Sequence, residues 1–219
     1  MELIDAWTTC SANRIQLDRQ HMEILERYHN DLRYWNEKVN MVSRKDIDQL
    51  WERHILHSLM LLKYAEFKPK ARVLDIGTGG GLPGIPLKIA RPDLRVTLVD
   101  SIAKKMKLVE MFAKHTEFKD LVPVTARVET LCDDPHYRGQ FDVIVSRAVA
   151  RTSQLISWSR PLLAPSGFYA LLKGGDLQDE LEEARQDHPD AEIIETPILA
   201  VGLPWFTTDA KKVITCRFS

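Results

Sequence analysis

The sequence predicts a doubly wound α/β fold: a mostly parallel sheet with one antiparallel strand near the C-terminus, preceded by an N-terminal helical cap. Three observations carry this. From Lys70 onward, short apolar runs alternate with amphipathic ones, the pattern of a sheet with helices on its faces. Asp75-Ile76-Gly77-Thr78-Gly79-Gly80-Gly81 closes the first apolar run as a glycine turn between strand and helix. Residues 1–69 carry two long helical periodicities that precede the first strand and cannot belong to its winding.

In the cap, Leu17, Ile24, Tyr28, Leu32, Trp35 and Val39 recur at three-to-four spacing and predict a helix over about 11–39. Ile47, Leu50, Trp51, Ile55, Leu59 and Leu62 form the apolar stripe of a second, over about 46–65. Strands are predicted near 72–76, 95–99, 121–125, 141–146 and 168–172, with helices near 84–90, 102–115 and 152–163. A charged helix follows at 176–186, and segments 191–199 and 211–218 read as a closing antiparallel pair. No repeat or low-complexity linker separates the cap from the 70–219 domain, so the two are expected to pack together.

A formal charge of −1 supplies no global attraction to nucleic acid or to an anionic membrane, so any RNA contact must come from a local patch. Cys10, Cys132 and Cys216 are scattered and have no C-x-x-C spacing, which disfavours disulfides and zinc sites. Met1 to Trp7 contains Glu2 and Asp5 without a basic leader, and Leu59-Met60-Leu61-Leu62 is far too short to span a membrane. The expected compartment is the cytoplasm.

The glycine turn admits a ligand. Gly77, Gly79 and Gly81 let backbone approach where a Cβ would collide. Asp100 ends the next strand about 20 residues on, the usual separation of a glycine turn from the acid that binds ribose. Capping of the helix starting at Ser101 is the alternative role for Asp100. Asp75 is placed to hold the loop's amides or a ligand ammonium.

Gly79-Gly80-Gly81-Leu82-Pro83-Gly84 formally satisfies the dinucleotide pattern G-x-G-x-x-G. The first glycine after the strand is Gly77, however, so the better frame is Gly77-x-Gly79-x-Gly81. Pro83 and Pro86 also remove amide protons that a pyrophosphate would use. S-adenosylmethionine has no phosphate and loses nothing. The turn Leu162-Leu163-Ala164-Pro165-Ser166-Gly167, read as a helix end before the strand Phe168–Lys173, resembles that of class I S-adenosylmethionine-dependent methyltransferases.

After the third strand, Ala126-Arg127-Val128-Glu129 lies where the adenine ring would pass, with Val128 against its face. Glu129 reads equally well as a solvated acid. The fourth strand runs into Ser146-Arg147-Ala148, where such a sheet places its reacting group; this is neither Asn-Pro-Pro-Tyr nor Pro-Cys, and offers no His, Cys or carboxylate.

The chain resembles the glucose-inhibited division protein B group, the bacterial RsmG-type methyltransferases of 16S ribosomal RNA. The resemblance rests on Asn40-Met41-Val42-Ser43, Arg53-His54-Ile55-Leu56-His57-Ser58, the run Asp75 to Leu87 with its Gly81-Leu82-Pro83-Gly84-Ile85-Pro86, Arg127-Val128-Glu129, Ser146-Arg147-Ala148 and Lys173-Gly174. It implies a class I methyltransferase fold and N7-methylation of guanine 527 of 16S rRNA, in the small subunit or its precursor, with S-adenosylmethionine as donor. It also implies cofactor contacts at Gly77, Leu82, Val128, Glu129 and Arg147. Two positions depart from the family pattern: Gly80, where relatives carry proline, and His57, where aspartate is expected.

Guanine N7 has an in-plane lone pair and no proton, so this chemistry requires no general base. Arg147 is expected to position the cofactor, a phosphate or guanine O6. Lys173 is a further candidate in the reacting region, and Arg53 and His54 are candidates for RNA contact. On a regular helix Arg53, His54 and His57 cannot all share a face. Lys104, Lys105 and Lys107 read either as phosphate contacts or as a solvated helix face. A monomer without an obligate protein partner is expected. The alternatives are a small-molecule methyltransferase and an inactive nucleotide-binding scaffold.

Overall fold

The computed structural model describes residues 1–218. Seven strands form one sheet in the order β3-β2-β1-β4-β5-β7-β6. They are β1 (Arg72–Ile76), β2 (Arg95–Asp100), β3 (Leu121–Thr125), β4 (Phe141–Arg147), β5 (Leu163–Lys173), β6 (Ala191–Pro197) and β7 (Lys212–Phe218). The first five run parallel, and β7 runs antiparallel to both of its neighbours, so it alone is reversed. The order reverses between β1 and β4, and ligands of open α/β sheets bind outside the carboxyl ends at such a switch point.

Side chains alternate across the sheet and divide the interior in two. Val73, Val96, Val143 and Ala170 face a core shared with the helices Gly84–Ala90 and Ala103–His115 and with the cap. Leu74, Ile144, Tyr169 and Ile214 face a second core, closed by the helices Thr152–Ser159 and Gln178–Asp187. The first core is continuous through Leu25, Leu32, Ile55 and Leu59, so the cap packs directly on the sheet's helical layer.

The cap differs from its periodicity. The helix expected over 11–39 is shorter, α2 (Arg19–Asn36), because Asp18 caps it by accepting from the His21 amide at 2.9 Å, and a separate helix that the periodicity did not mark, α1 (Leu3–Ala12), ends at Asn13 before it. The second expected helix is broken by winding: a 3-10 segment at Arg44–Gln49, a π-helical segment at Trp51–Leu56, then short α-helical turns at His57–Leu59 and Leu61–Tyr64.

Two further boundaries differ. The helix expected to 163 ends at Ser159 and gives way to a 3-10 turn at Arg160–Leu162. Leu163 to Gly167 already belongs to β5, paired with β4 across a bulge between Phe141 and Val143. A short helix at Val128–Leu131, absent from the apolar pattern, carries the residues after β3. The three cysteines are unpaired, and burial pushes the Cys10 and Cys216 thiols up to about 12.

Because one core joins cap and sheet, urea unfolding followed by tryptophan fluorescence and by far-ultraviolet circular dichroism will trace one transition. Leu32→Ala, at a fully buried position, will lower its stability by about 2–5 kcal/mol. Separate transitions for the two probes would show that the cap unfolds independently.

Candidate active site

The site is built on the end of β1. Asp75, fully buried, accepts from the Thr78 hydroxyl at 2.6 Å and the Gly84 amide at 2.9 Å through the same oxygen, Oδ2. These bonds fold the glycine loop back on its strand. Oδ1 is buried and has no partner among the described residues. Burial, partly offset by these hydrogen bonds, raises the Asp75 carboxyl to about 7.

Asp100 takes the capping role and adds a bond to the glycine loop that the sequence did not indicate. Oδ2 accepts from the Gly79 amide at 3.0 Å and Oδ1 from the Ile102 amide at 2.9 Å, so it holds the loop and turns the chain into the next helix. Four further amides of the run are engaged: Thr78 donates to the Val99 carbonyl, Gly81 and Leu82 to that of Thr78, and Ile85 to that of Gly81. With most of the loop's donors engaged and the Asp100 carboxylate at the cavity wall, this is a poor cradle for a pyrophosphate and a better one for a cation.

Part of the glycine requirement is internal. Gly77 and Gly81 have φ of +65° and +96°, and a Cβ at either would press into Val149 or Ile85. At Gly79 the nearest atom to such a Cβ is the Met41 carbonyl oxygen at 3.4 Å, which leaves room beside the loop. Tyr28 of α2 reaches the same loop and donates to the Gly80 carbonyl at 2.9 Å, while Leu32 fills the space over Gly80.

One cavity of about 830 Å3 runs along the carboxyl rim of the sheet. It brings together Gly77, Gly79, Leu82, Asp100, Val128, Glu129, Arg147, Lys173, Arg53 and His54; Gly81 lies behind its wall. Val128 is buried and Glu129 exposed at the start of their short helix. Of the three lysines on the helix after β2, Lys105 lines the cavity while Lys104 and Lys107 are exposed on the helix outside it.

Arg147, at the end of β4, donates through Nη1 to the Arg53 carbonyl at 3.2 Å. Burial holds its guanidinium below the usual range, opposed by the nearby Tyr28, Asp75 and Asp46. Arg53 itself is tied down, bonding Gln49 and, at 3.1 Å, Asp209. Lys173 bonds the Ala150 carbonyl and, at 2.8 Å, Glu180, which also accepts from the Thr152 amide and hydroxyl. That network braces the β4 and β5 ends against the helix Gln178–Asp187.

Arg53, His54 and His57 all line this cavity, contrary to the expectation from regular helical spacing. At about 100° per residue the three positions already fall within one arc of roughly 100° on a regular helix, so the expectation overstated their separation. His54 is held at about 3 and His57 well below its usual range by burial and by the flanking Arg147 and Lys211, so both are neutral. Trp205 and Lys211, which no sequence motif singled out, complete the cavity from the connection between β6 and β7. No group of metal-ligating side chains occurs among the described residues.

The family described as rRNA small subunit methyltransferase G matches residues 21–201. The chain belongs to that family. Ribosomal RNA small subunit methyltransferase G of Cytophaga hutchinsonii is 46% identical over 155 residues, covering 68% of this chain and 72% of the relative. The protein of that name from Chlorobium limicola is 38% identical over 184 residues, 84% of this chain and 81% of the relative.

Among solved structures, a ribosomal protein L11 methylase from Lactobacillus delbrueckii subsp. bulgaricus aligns at a TM-score of 0.57 and 18% identity, covering 74% of this chain and 77% of that one. A precorrin-6y C5,15-methyltransferase from Geobacter metallireducens aligns at 0.56 and 14%, covering 83% and 92%. These likenesses establish the methyltransferase fold.

Asp75 gives the ligand-free protein a distinctive pH dependence. Its folded carboxyl titrates at about 7 against 3.8 unfolded, so the folded state holds the proton longer. Its contribution is fully present below pH 4 and lost as pH rises through 7, by about 1.4 kcal/mol per pH unit within that window. Asp75→Asn will flatten this slope in urea titrations between pH 5 and 8; an unchanged slope would assign the dependence to other groups.

Proposed function

We propose that the protein methylates N7 of guanine 527 in 16S ribosomal RNA, with S-adenosylmethionine as methyl donor. The observation that carries this reading, beyond family membership, is the glycine loop. Most of its amides are engaged internally and the Asp100 carboxylate stands at the cavity wall, which suits a cationic, phosphate-free nucleoside.

When bound, S-adenosylmethionine supplies a methyl group on a sulfonium. In this reading Gly77 and Gly79 with Leu82 form the bed of its site, and Gly81 behind them lets the loop turn tightly. Asp100 keeps acceptor capacity for ribose hydroxyls, Val128 packs on the adenine face, and Glu129 and the backbone beside it read the edge. Arg147, held by the Arg53 carbonyl, orients the donor or the incoming purine at the β4 edge.

A guanine N7 lone pair needs no proton removed before it attacks, and His54, held at about 3, takes up none at neutrality. Acceleration then rests on alignment, which can contribute about 7–11 kcal/mol. Lys173 acts in the reacting region by bracing the rim, and Arg53 and His54 form the RNA-facing border. Residues 1–69 form the cap and 70–219 the catalytic domain. No helix of the described residues is long and apolar enough to cross a membrane. We place the enzyme in the cytoplasm as a monomer without an obligate protein partner; light scattering at the mass of one chain tests the last point.

Labelled S-adenosylmethionine incubated with small subunits lacking the modification will label one guanine, mapped by mass to 527. Label on another nucleotide, or none, would overturn the assignment. Arg147→Ala will lower kcat/KM by about 10- to 100-fold with the fold intact, the scale of a lost positioning contact. Wild-type rates and donor affinity in that variant would remove Arg147 from the site.

A further inference from the structure

The sheet order divides the cavity. The glycine loop, Asp100 and Glu129 stand at or beyond the carboxyl ends of β1, β2 and β3, on one side of the switch point. On the other side, β5 ends at Lys173, which pairs with Lys212 at the start of β7, so the reversed strand brings Lys211 to the same rim. From β1 to β7 is three strand spacings, roughly 14 Å. A donor seated over β1 to β3 leaves this second half open.

Its wall is made by the connection between β6 and β7 and by the π-helical segment of the cap. The connection is firmly fastened. Asn13 clamps Val201, accepting from its amide at 2.9 Å and donating to its carbonyl at 3.0 Å. The Tyr64 hydroxyl does the same with Leu199, at 2.7 and 3.0 Å. Arg53 bonds Asp209.

Trp205 stands on this segment, stacked on Phe206 at 4.0 Å between ring centroids and set edge-on to His57. Its indole Nε1 has no partner among the described residues. Lys211 lies close enough to lower the titration of both cap histidines, and its nearest carboxylate, on Asp209, is 4.0 Å away. With Arg53 and Arg147 it makes this half of the cavity cationic and aromatic. That is the composition that holds an unstacked nucleotide by packing on the base and neutralising its phosphate.

We propose that this half is the binding site for the target nucleotide, extruded from its RNA, with Trp205 packing against the base and Lys211 meeting a phosphate beside it. The inference rests on the rRNA methyltransferase reading above. The fastened connection sets where the purine stands relative to Arg147.

Steady-state methylation of small subunits lacking the modification tests it, with wild type, Lys211→Ala, Trp205→Ala and Trp205→Phe compared. KM for the subunit will rise about tenfold in both alanine variants, donor Kd will stay within about twofold of wild type, and Trp205→Phe will retain most of the affinity. Lys211→Ala will also reduce the dependence of log affinity on log salt by roughly 0.7, the loss of one single-strand phosphate contact. An unchanged KM and salt slope, or a parallel loss of donor affinity, would overturn the proposal. If Trp205→Ala lowers Tm markedly, the partly exposed Lys211 decides through its KM and slope. A wild-type protein that binds donor yet methylates no subunit would overturn the functional reading itself, and the nucleotide site with it.

Discussion

One buried carboxylate sets the geometry on which the rest depends. Asp75 joins the end of the central strand, the hydroxyl of Thr78 and the amide that opens the helix Gly84–Ala90. A charged group in that place is costly, and the elevation of its titration registers the cost. What it fixes is a tight loop most of whose own amides are satisfied before any ligand arrives. The surface left to a ligand is therefore poor in amide donors, which separates this turn from phosphate-binding turns of similar sequence.

The cap belongs to the same constraint. Tyr28 and Leu32 of α2 sit over Gly80, and the backbone of Arg53 receives Arg147. Elements encoded before the first strand thus support both the loop and the arginine at the β4 edge. The departures at Gly80 and His57 fall within these contacts. Gly80 makes room for Leu32, and a neutral His57 packs against Trp205 and Phe206 where a carboxylate would have faced Arg147 and Lys211.

The parallel core of the fold was legible in the sequence because its signals are local: short apolar runs for β1, β2, β3 and β4, and glycines at the strand end. The cofactor half of the cavity followed for the same reason, since Gly77 to Leu82 and Asp100 belong to one strand-turn-helix-strand unit. The cap helices were misjudged in extent because apolar spacing does not mark the end at Asn13, the cap at Asp18 or the change to π winding at Trp51. Trp205 and Lys211 were missed outright. Their place in the cavity comes from strand reversal at β7 and from pairing with residues far back in the chain, and no short motif encodes either.

The clamp of Asn13 on Val201 spans 188 positions of sequence. A nascent chain therefore carries its glycine loop and the first five strands well before it possesses the last piece of the cavity. During synthesis, donor-binding elements precede those that bound the far side, and the enclosure closes only once β7 has inserted between β5 and β6. Contacts of such separation carry a high loop-closure cost and form late. Competence is thereby tied to completion of the polypeptide: a chain cut short before residue 212 lacks the strand that joins β6 to the rest of the sheet.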